Sequence, residues 1–430
     1  MQRLAYICRM KYNTAFSAVI CAALLLFSGC SEVRSQYASG YPRAEYVEAG
    51  EILMYTPGTE LYDGVIHPAA GLYEDYFDTE KAAEEHRGYM SMLRANGIEV
   101  FEVSQVLLSM PREELLALAG SALRYDASAT SQTPEETEAY RQQVLGKMNN
   151  ADLVRTIFNR PTVVLKETGL NTGLSAEYRH EPLMNMYFTR DQSITTPVGH
   201  VMCRMNSSQR FPEVDIIEAC YRQLGEEAVY RVKGEDSYLE GGDYIPFGPI
   251  GLLGQGLRTT QEAVEELLAA DVIGHDTLVV VRDHWKDQYQ MHLDTYFNVI
   301  DHDLCTMCFN RYDAADEGDV NFLTIDMYAR GPGETSYHTV PEYAGFSFKQ
   351  FLADRGVSVI RVSKEDADHY ANNFLTIGPR HIMSVAGQSD ALAAEYRRCG
   401  VKVEWVPLDN LIGGYGAAHC MTQVLRRRLP

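Results

Sequence analysis

Five stretches of the chain repeat one order of apolar and polar positions. In residues 92–100, 351–359 and 395–403, apolar positions at helical spacing run into a glycine (Gly97, Gly356, Gly400), and side chains of alternating polarity follow. A glycine there takes a left-handed backbone at no steric cost, so the pattern predicts a helix, a reversal and a half-buried strand. Residues 221–225 ahead of 229–232 form a looser copy, and residues 265–270 ahead of 277–281 a fifth. Repeated αβ units at irregular spacing predict a pseudosymmetric array about an axis. A doubly wound sheet has the same local order, and the pattern alone leaves both open.

The rhythm lapses twice. Over about residues 110–165 the chain is helical in character: Pro111, Arg112, Glu113 and Glu114 make a first turn, a Ser/Thr/Ala loop spans 128–133, and Pro134, Glu135 and Glu136 open another helix. This predicts a helical insertion in the array. At the N-terminus, Arg3, Arg9 and Lys11 precede an apolar stretch from Ala15 to Phe27 that is short for a membrane span, and small residues Ser28 and Gly29 lead to Cys30. Residues 1–30 therefore read as a bacterial signal peptide, with Met10 beside Met1 as a possible start. Phe27-Ser28-Gly29-Cys30 resembles a lipobox, with Phe in the usual place of Leu, which implies a lipidated Cys30 and export to a membrane surface. Residues 31–45 are polar and without periodicity and read as a tether, leaving 46–430 as the folded domain.

Composition narrows the function. With 46% apolar residues in 430, the chain can bury one large core or two ordinary ones. A net charge of -21 argues against nucleic acid as a partner, because phosphate affinity needs clustered Lys and Arg. The one compact basic run, Arg426-Arg427-Arg428, reads as a solvated tail. After signal removal the cysteines are Cys30, Cys203, Cys220, Cys305, Cys308, Cys399 and Cys420, too few for a disulfide scaffold. Cys305 and Cys308 have redox or zinc spacing, but they lack a second pair and sit in an apolar run, so they read as structural.

Four polar segments carry the candidate chemistry: Phe188-Thr189-Arg190-Asp191, Glu240-Gly241-Gly242-Asp243, His292-Leu293-Asp294-Thr295, and a glycine-rich stretch ending at His419-Cys420. Singly they have ordinary readings, namely a strand end, a turn freed by paired glycines, a satisfied histidine and a buried cysteine. Together they suit attack on a guanidinium. That cation has a pKa above about 12 and a carbon made unreactive by resonance, so it needs carboxylates to fix its plane, a soft nucleophile, and an acid for the leaving amine. Asp191 and Asp294 can hold the guanidinium, Cys420 can attack, His292 can act as acid then base, and Glu240 can orient His292. Pairs such as His292 with Asp294, or His200 with Cys203, do not gather three or four ligands at metal spacing, so the sequence calls for no metal and no cofactor.

These segments resemble the arginine deiminase branch of the guanidino-group-modifying enzymes, in the amidinotransferase superfamily, from about Glu48 to the C-terminus. The resemblance implies a five-bladed α/β propeller with a helical insertion after the first blade, an opening strand and turn at residues 52–58, and a catalytic set of Cys420, His292, Glu240, Asp191 and Asp294. It also implies a substrate-carboxylate site at Asn185, Arg210 and Arg258. One position departs: the arginine that the family places five residues ahead of the cysteine is Tyr415 here.

The resemblance implies hydrolysis of L-arginine to L-citrulline and ammonia through a covalent Cys420 S-alkylthiouronium, a step of arginine catabolism. Alternatives left open are amidino transfer to an amine, and deimination of peptidyl arginine or agmatine. A non-catalytic guanidine-binding lipoprotein is a third class, disfavoured because binding alone needs neither His292 nor Cys420.

Overall fold

The computed structural model describes residues 41–428. The signal segment and the lipobox with Cys30 lie outside the described residues. Tyr41–Arg427 form one compact unit. The tether expected over 31–45 thus ends earlier: Ala44 and Glu45 are buried, and Glu45 pairs with Arg427.

Five of the six sheets among the described residues share one topology. A first strand pairs antiparallel with a second, and a third joins the second in parallel. The units are Ser193–Thr196, Gly199–Met202 and Ala228–Arg231; Tyr244–Phe247, Ile250–Gln255 and Thr277–Arg282; Phe297–Asp301, Leu304–Cys308 and Ser358–Val362; and Leu375–Gly378, His381–Val385 and Lys402–Val406. The fifth joins the chain ends: Gln423–Arg427 pairs antiparallel with Ala49–Met54, which pairs in parallel with Glu99–Glu102.

The third strand of each unit is the one that the repeated sequence pattern predicts. Its helix ends before a left-handed glycine in four units, at Gly97, Gly225, Gly356 and Gly400, with φ between 70 and 77°. Third strands such as Lys402–Val406 keep exposed positions, whereas Ser193–Thr196, Tyr244–Phe247, Phe297–Asp301 and Leu375–Gly378 are buried throughout. A strand wetted on one face alternates in polarity, and one buried on both does not.

The expected insertion is richer than helical. Helices Arg112–Ala122, Pro134–Lys147 and Asn150–Asn159 are present, the second opened by a Thr133/Glu136 capping box. A sixth sheet of Arg124–Ala129, Pro161–Glu167 and Leu174–His180 joins them, so this stretch is mixed rather than helical and runs to residue 180. Leu174–His180 is almost wholly exposed, so it lacks the apolar alternation that marks a strand locally.

The basic run is not a solvated tail. Arg427 is buried, donates to the Val47 and Thr376 carbonyls and pairs with Glu45, while Arg426 pairs with Glu226 at 2.8 Å. Cys305 and Cys308 are buried free thiols in one strand. No helix among the described residues is long and apolar enough to cross a membrane.

Candidate active site

Each repeating unit carries a polar segment immediately ahead of its buried first strand. Asp191 precedes Ser193–Thr196, Glu240–Asp243 precede Tyr244–Phe247, His292–Asp294 precede Phe297–Asp301, and Cys420 precedes Gln423–Arg427. The remaining unit puts Asn373 ahead of Leu375–Gly378. Sequence reading missed Asn373. Its signal was its place in the repeat, two residues before a buried strand, as Asp191 is.

The five segments converge. His292 Nε2 lies 2.8 Å from Glu240 Oε2, and His292 Nδ1 lies 3.9 Å from Asp191 Oδ1. Cys420 Sγ is 3.5 Å from Asp294 Oδ2, which accepts from His419 Nδ1 at 2.7 Å. Asn373 Nδ2 donates to Cys420 Sγ at 3.1 Å, and its Oδ1 accepts from the Ala417 and Cys420 amides at 2.8 and 3.1 Å. The cysteine is therefore fixed in both side chain and backbone. Arg190 and Thr189 stitch the Asp191 segment to the His419, Cys420 and Met421 backbone.

The glycines serve close approach rather than left-handed turns. Neither Gly241 nor Gly242 has positive φ. A Cβ on Gly241 would lie 2.0 Å from the Arg190 carbonyl, and one on Gly242 would lie 2.8 Å from His292 Nδ1 and 3.0 Å from Asp294 Oδ1. The paired glycines thus let the strand lead carrying Glu240 press against the Asp191 and His292 leads. In the cysteine loop a Cβ on Gly414 would strike the Tyr187 hydroxyl at 2.0 Å, and one on Gly416 would meet Phe188 at 2.8 Å. Tyr415 between them holds a left-handed backbone with φ 66°, unusual for a tyrosine.

Charge follows geometry. Burial alone would lower His292, but the carboxylates of Asp191, Glu240 and Asp243 outweigh it and raise the imidazolium to about 9. Burial raises Glu240, yet its hydrogen bond to His292 and the charge of Arg258 bring it to about 2. Asp294 is likewise raised by burial and then lowered overall by His419. The Cys420 thiol is pushed well above its ordinary range by burial and then by Asp294 and Asp191. Two carboxylate oxygens, Asp191 Oδ1 and Asp294 Oδ1, are buried without a hydrogen-bond partner among the described residues.

Asp191, Glu240 and His292 also place three possible metal ligands within 4.8 Å, a trio that linear spacing did not reveal. All three already have partners in the protein: His292 pairs with Glu240 at 2.8 Å, and Arg210 pairs with Asp191 at 2.8 Å.

Asn185, Arg210 and Arg258 line the same cavity as Asp191, His292 and Cys420. Arg210 is already engaged, 2.8 Å from Asp191 Oδ2 and 2.9 Å from Glu213 Oε2. Arg258 donates to Gln288 and keeps a buried Nε with no hydrogen-bond partner among the described residues. The cavity measures about 20 Å³, room for roughly one water, with Gly414 and Tyr415 on its wall.

The model of the arginine deiminase family matches residues 70–427. The chain is similar to the arginine deiminase of Halobacterium salinarum, 26% identical with 89% of this chain and 96% of that protein covered, and to that of Lactococcus lactis subsp. cremoris, 26% identical with 87% and 95% covered. In fold it is similar to the product-bound N-terminal domain of ArgZ, a cyanobacterial arginine dihydrolase (TM-score 0.54, 17% identity, 88% and 99% covered). It is similar also to a mutant of DDAH from Pseudomonas aeruginosa complexed with citrulline (TM-score 0.51, 16% identity, 87% and 98% covered). A match over so much of the chain, with a buried cysteine, a histidine and the Asp191 carboxylate gathered at one cavity, makes the protein a member of the arginine deiminase family and a hydrolase of carbon–nitrogen bonds in linear amidines.

Proposed function

We propose that the protein hydrolyses L-arginine to L-citrulline and ammonia, with the five repeating units as blades of an α/β propeller around this site. One observation carries the chemistry: Cys420 lies 3.5 Å from Asp294 and lines one cavity with Asp191, and each of these buried carboxylates has one oxygen without a hydrogen-bond partner among the described residues. A planar cation donating to Asp191 Oδ1 and Asp294 Oδ1 would satisfy both, and its charge would offset the repulsion that holds the thiol proton on Cys420. The thiol proton passes to solvent, and the thiolate attacks the guanidinium carbon. His292, held protonated by its carboxylate neighbours, gives its proton to the departing nitrogen, which leaves as ammonia. An S-alkylthiouronium on Cys420 remains. Neutral His292 next takes a proton from water, hydroxide adds to the same carbon, and collapse expels the thiolate and yields the urea product.

At the other end, Arg258 with its unpartnered Nε is the cation best placed for a substrate carboxylate, beside Asn185. Arg210, spent on Asp191 and Glu213, positions Asp191 instead. Agmatine, lacking the carboxylate, is then a poor substrate. We propose further, from residues 1–30, that the enzyme is exported from a bacterial cell and lipid-anchored through Cys30, so that it meets arginine outside the cytoplasm.

The test incubates the protein with L-arginine and no other amine, scoring citrulline and ammonia, with Cys420→Ala as control. Citrulline from the native chain alone supports hydrolysis. Product only on adding an amine acceptor would replace it with amidino transfer.

A further inference from the structure

The catalytic cavity is too small for an arginine, yet a second cavity of about 500 Å³ adjoins it. Residues 287–291 form the shared wall, with Asp287, Tyr289 and Gln290 facing the larger cavity and Gln288 and Met291 the catalytic one. The wall continues through Tyr415, whose ring meets Tyr289 edge to face at 5.1 Å. Glu74 lines the larger cavity and ties to the same loop, its amide donating to the Gly413 carbonyl at 2.8 Å.

The lining of this cavity suits an organic cation. Glu74 and Asp287 carry negative charge there; Asp368 is matched by Lys364. Tyr289 and Tyr370 supply aromatic surface, which attracts cations through the ring quadrupole, while the Trp285 ring already faces Arg311 at 5.3 Å. Tyr370 is 5% exposed, holds a left-handed backbone with φ 57°, and its hydroxyl has no hydrogen-bond partner among the described residues. A buried hydroxyl without a partner is costly, so a ligand that accepts from it or donates to it answers a deficit in the fold. The volume lies in the range of small-molecule pockets.

We propose that this acidic, aromatic cavity is a loading site that takes the guanidinium of an incoming substrate before the Tyr289–Tyr415 contact parts to admit it to Cys420. The inference rests on the proposed reading of the substrate as a guanidine, but not on its turnover.

Equilibrium dialysis of radiolabelled L-arginine against the full-length Cys420→Ser protein tests this. Two molecules per chain are expected. Glu74→Gln with Asp287→Asn removes both charges at nearly constant volume and weakens one site about fivefold per charge, leaving the other unchanged. Asp191→Asn does the converse. Tyr370→Phe, which deletes one hydroxyl, weakens the same site as the charge variants and serves if the double variant fails to fold. A single site in the parent protein, or a second site indifferent to all three loading-site substitutions, overturns the proposal. Because no chemistry occurs in the Cys420→Ser protein, a failure of the hydrolytic reading leaves this count unaffected.

Discussion

Replacing Glu240 by glutamine removes one negative charge 2.8 Å from His292 Nε2 while nearly keeping side-chain volume. In the native site His292 is raised from 6.5 to about 9 against the pull of burial, by Asp191, Glu240 and Asp243. A hydrogen bond to a charged partner contributes roughly 1.5–3 kcal/mol, and one pKa unit is about 1.4 kcal/mol, so the substitution lowers His292 by about one to two units. Stability follows with a definite sign. A folded-state pKa above the unfolded one stabilises fully below pH 6.5 and is lost as pH rises through about 9. The whole shift corresponds to about 3 kcal/mol, and Glu240→Gln forfeits roughly half or more of it at pH 6 and little at pH 10. Two measurements check this: an NMR titration of the His292 ring, assigned with His292→Gln, and urea unfolding of both proteins across that pH range. An unmoved imidazole titration, or a stability gap that widens toward high pH, would refute the reasoning.

Four further outcomes are expected. Iodoacetamide should inactivate the empty enzyme slowly at neutral pH through Cys420, because burial and two carboxylates hold the thiol protonated; added methylguanidine, by supplying a cation, should raise the thiolate fraction seen near 240 nm. Gly242→Ala should cost about 1–3 kcal/mol and cut kcat more than a hundredfold, since the new Cβ meets His292 and Asp294 at 3.0 Å or less; native-like kcat would show that the leads can move apart. Arg427→Met should destabilise by about 3–5 kcal/mol in urea unfolding, because it removes the arginine paired with Glu45 in the core and leaves that carboxylate the weaker neighbourhood of His419. Tyr415→Arg should lower KM for L-arginine several-fold with little change in kcat, as the restored charge reaches the substrate carboxylate; an unchanged KM would place that end of the substrate elsewhere.

What the chain determines locally, its sequence shows. A helix closing on a left-handed glycine and a strand wetted on one face leave a periodic record within a dozen residues, so Gly97, Gly356 and Gly400 marked three outer strands correctly. Asp191, Glu240, His292, Asp294 and Cys420 were legible because their order along the chain resembles a family.

Tertiary structure decided the rest. The sheet Arg124–Ala129, Pro161–Glu167 and Leu174–His180 is held by pairing across sequence and is largely exposed, so no local alternation announced it. Arg427 looks like tail in a run of arginines and becomes core only because the last strand pairs with Ala49–Met54 and brings Glu45 beside it. Asn373 is an ordinary polar residue until the repeat places it ahead of a buried strand, against Cys420. How a charge is engaged is likewise a matter of neighbours: Arg210 and Arg258 look alike in sequence, but Arg210 is ion-paired with Asp191 and Glu213, while Arg258 donates to Gln288 and keeps an Nε without a hydrogen-bond partner among the described residues. Periodicity encodes which face is wet; only contacts between distant segments fix what a buried charge must answer to.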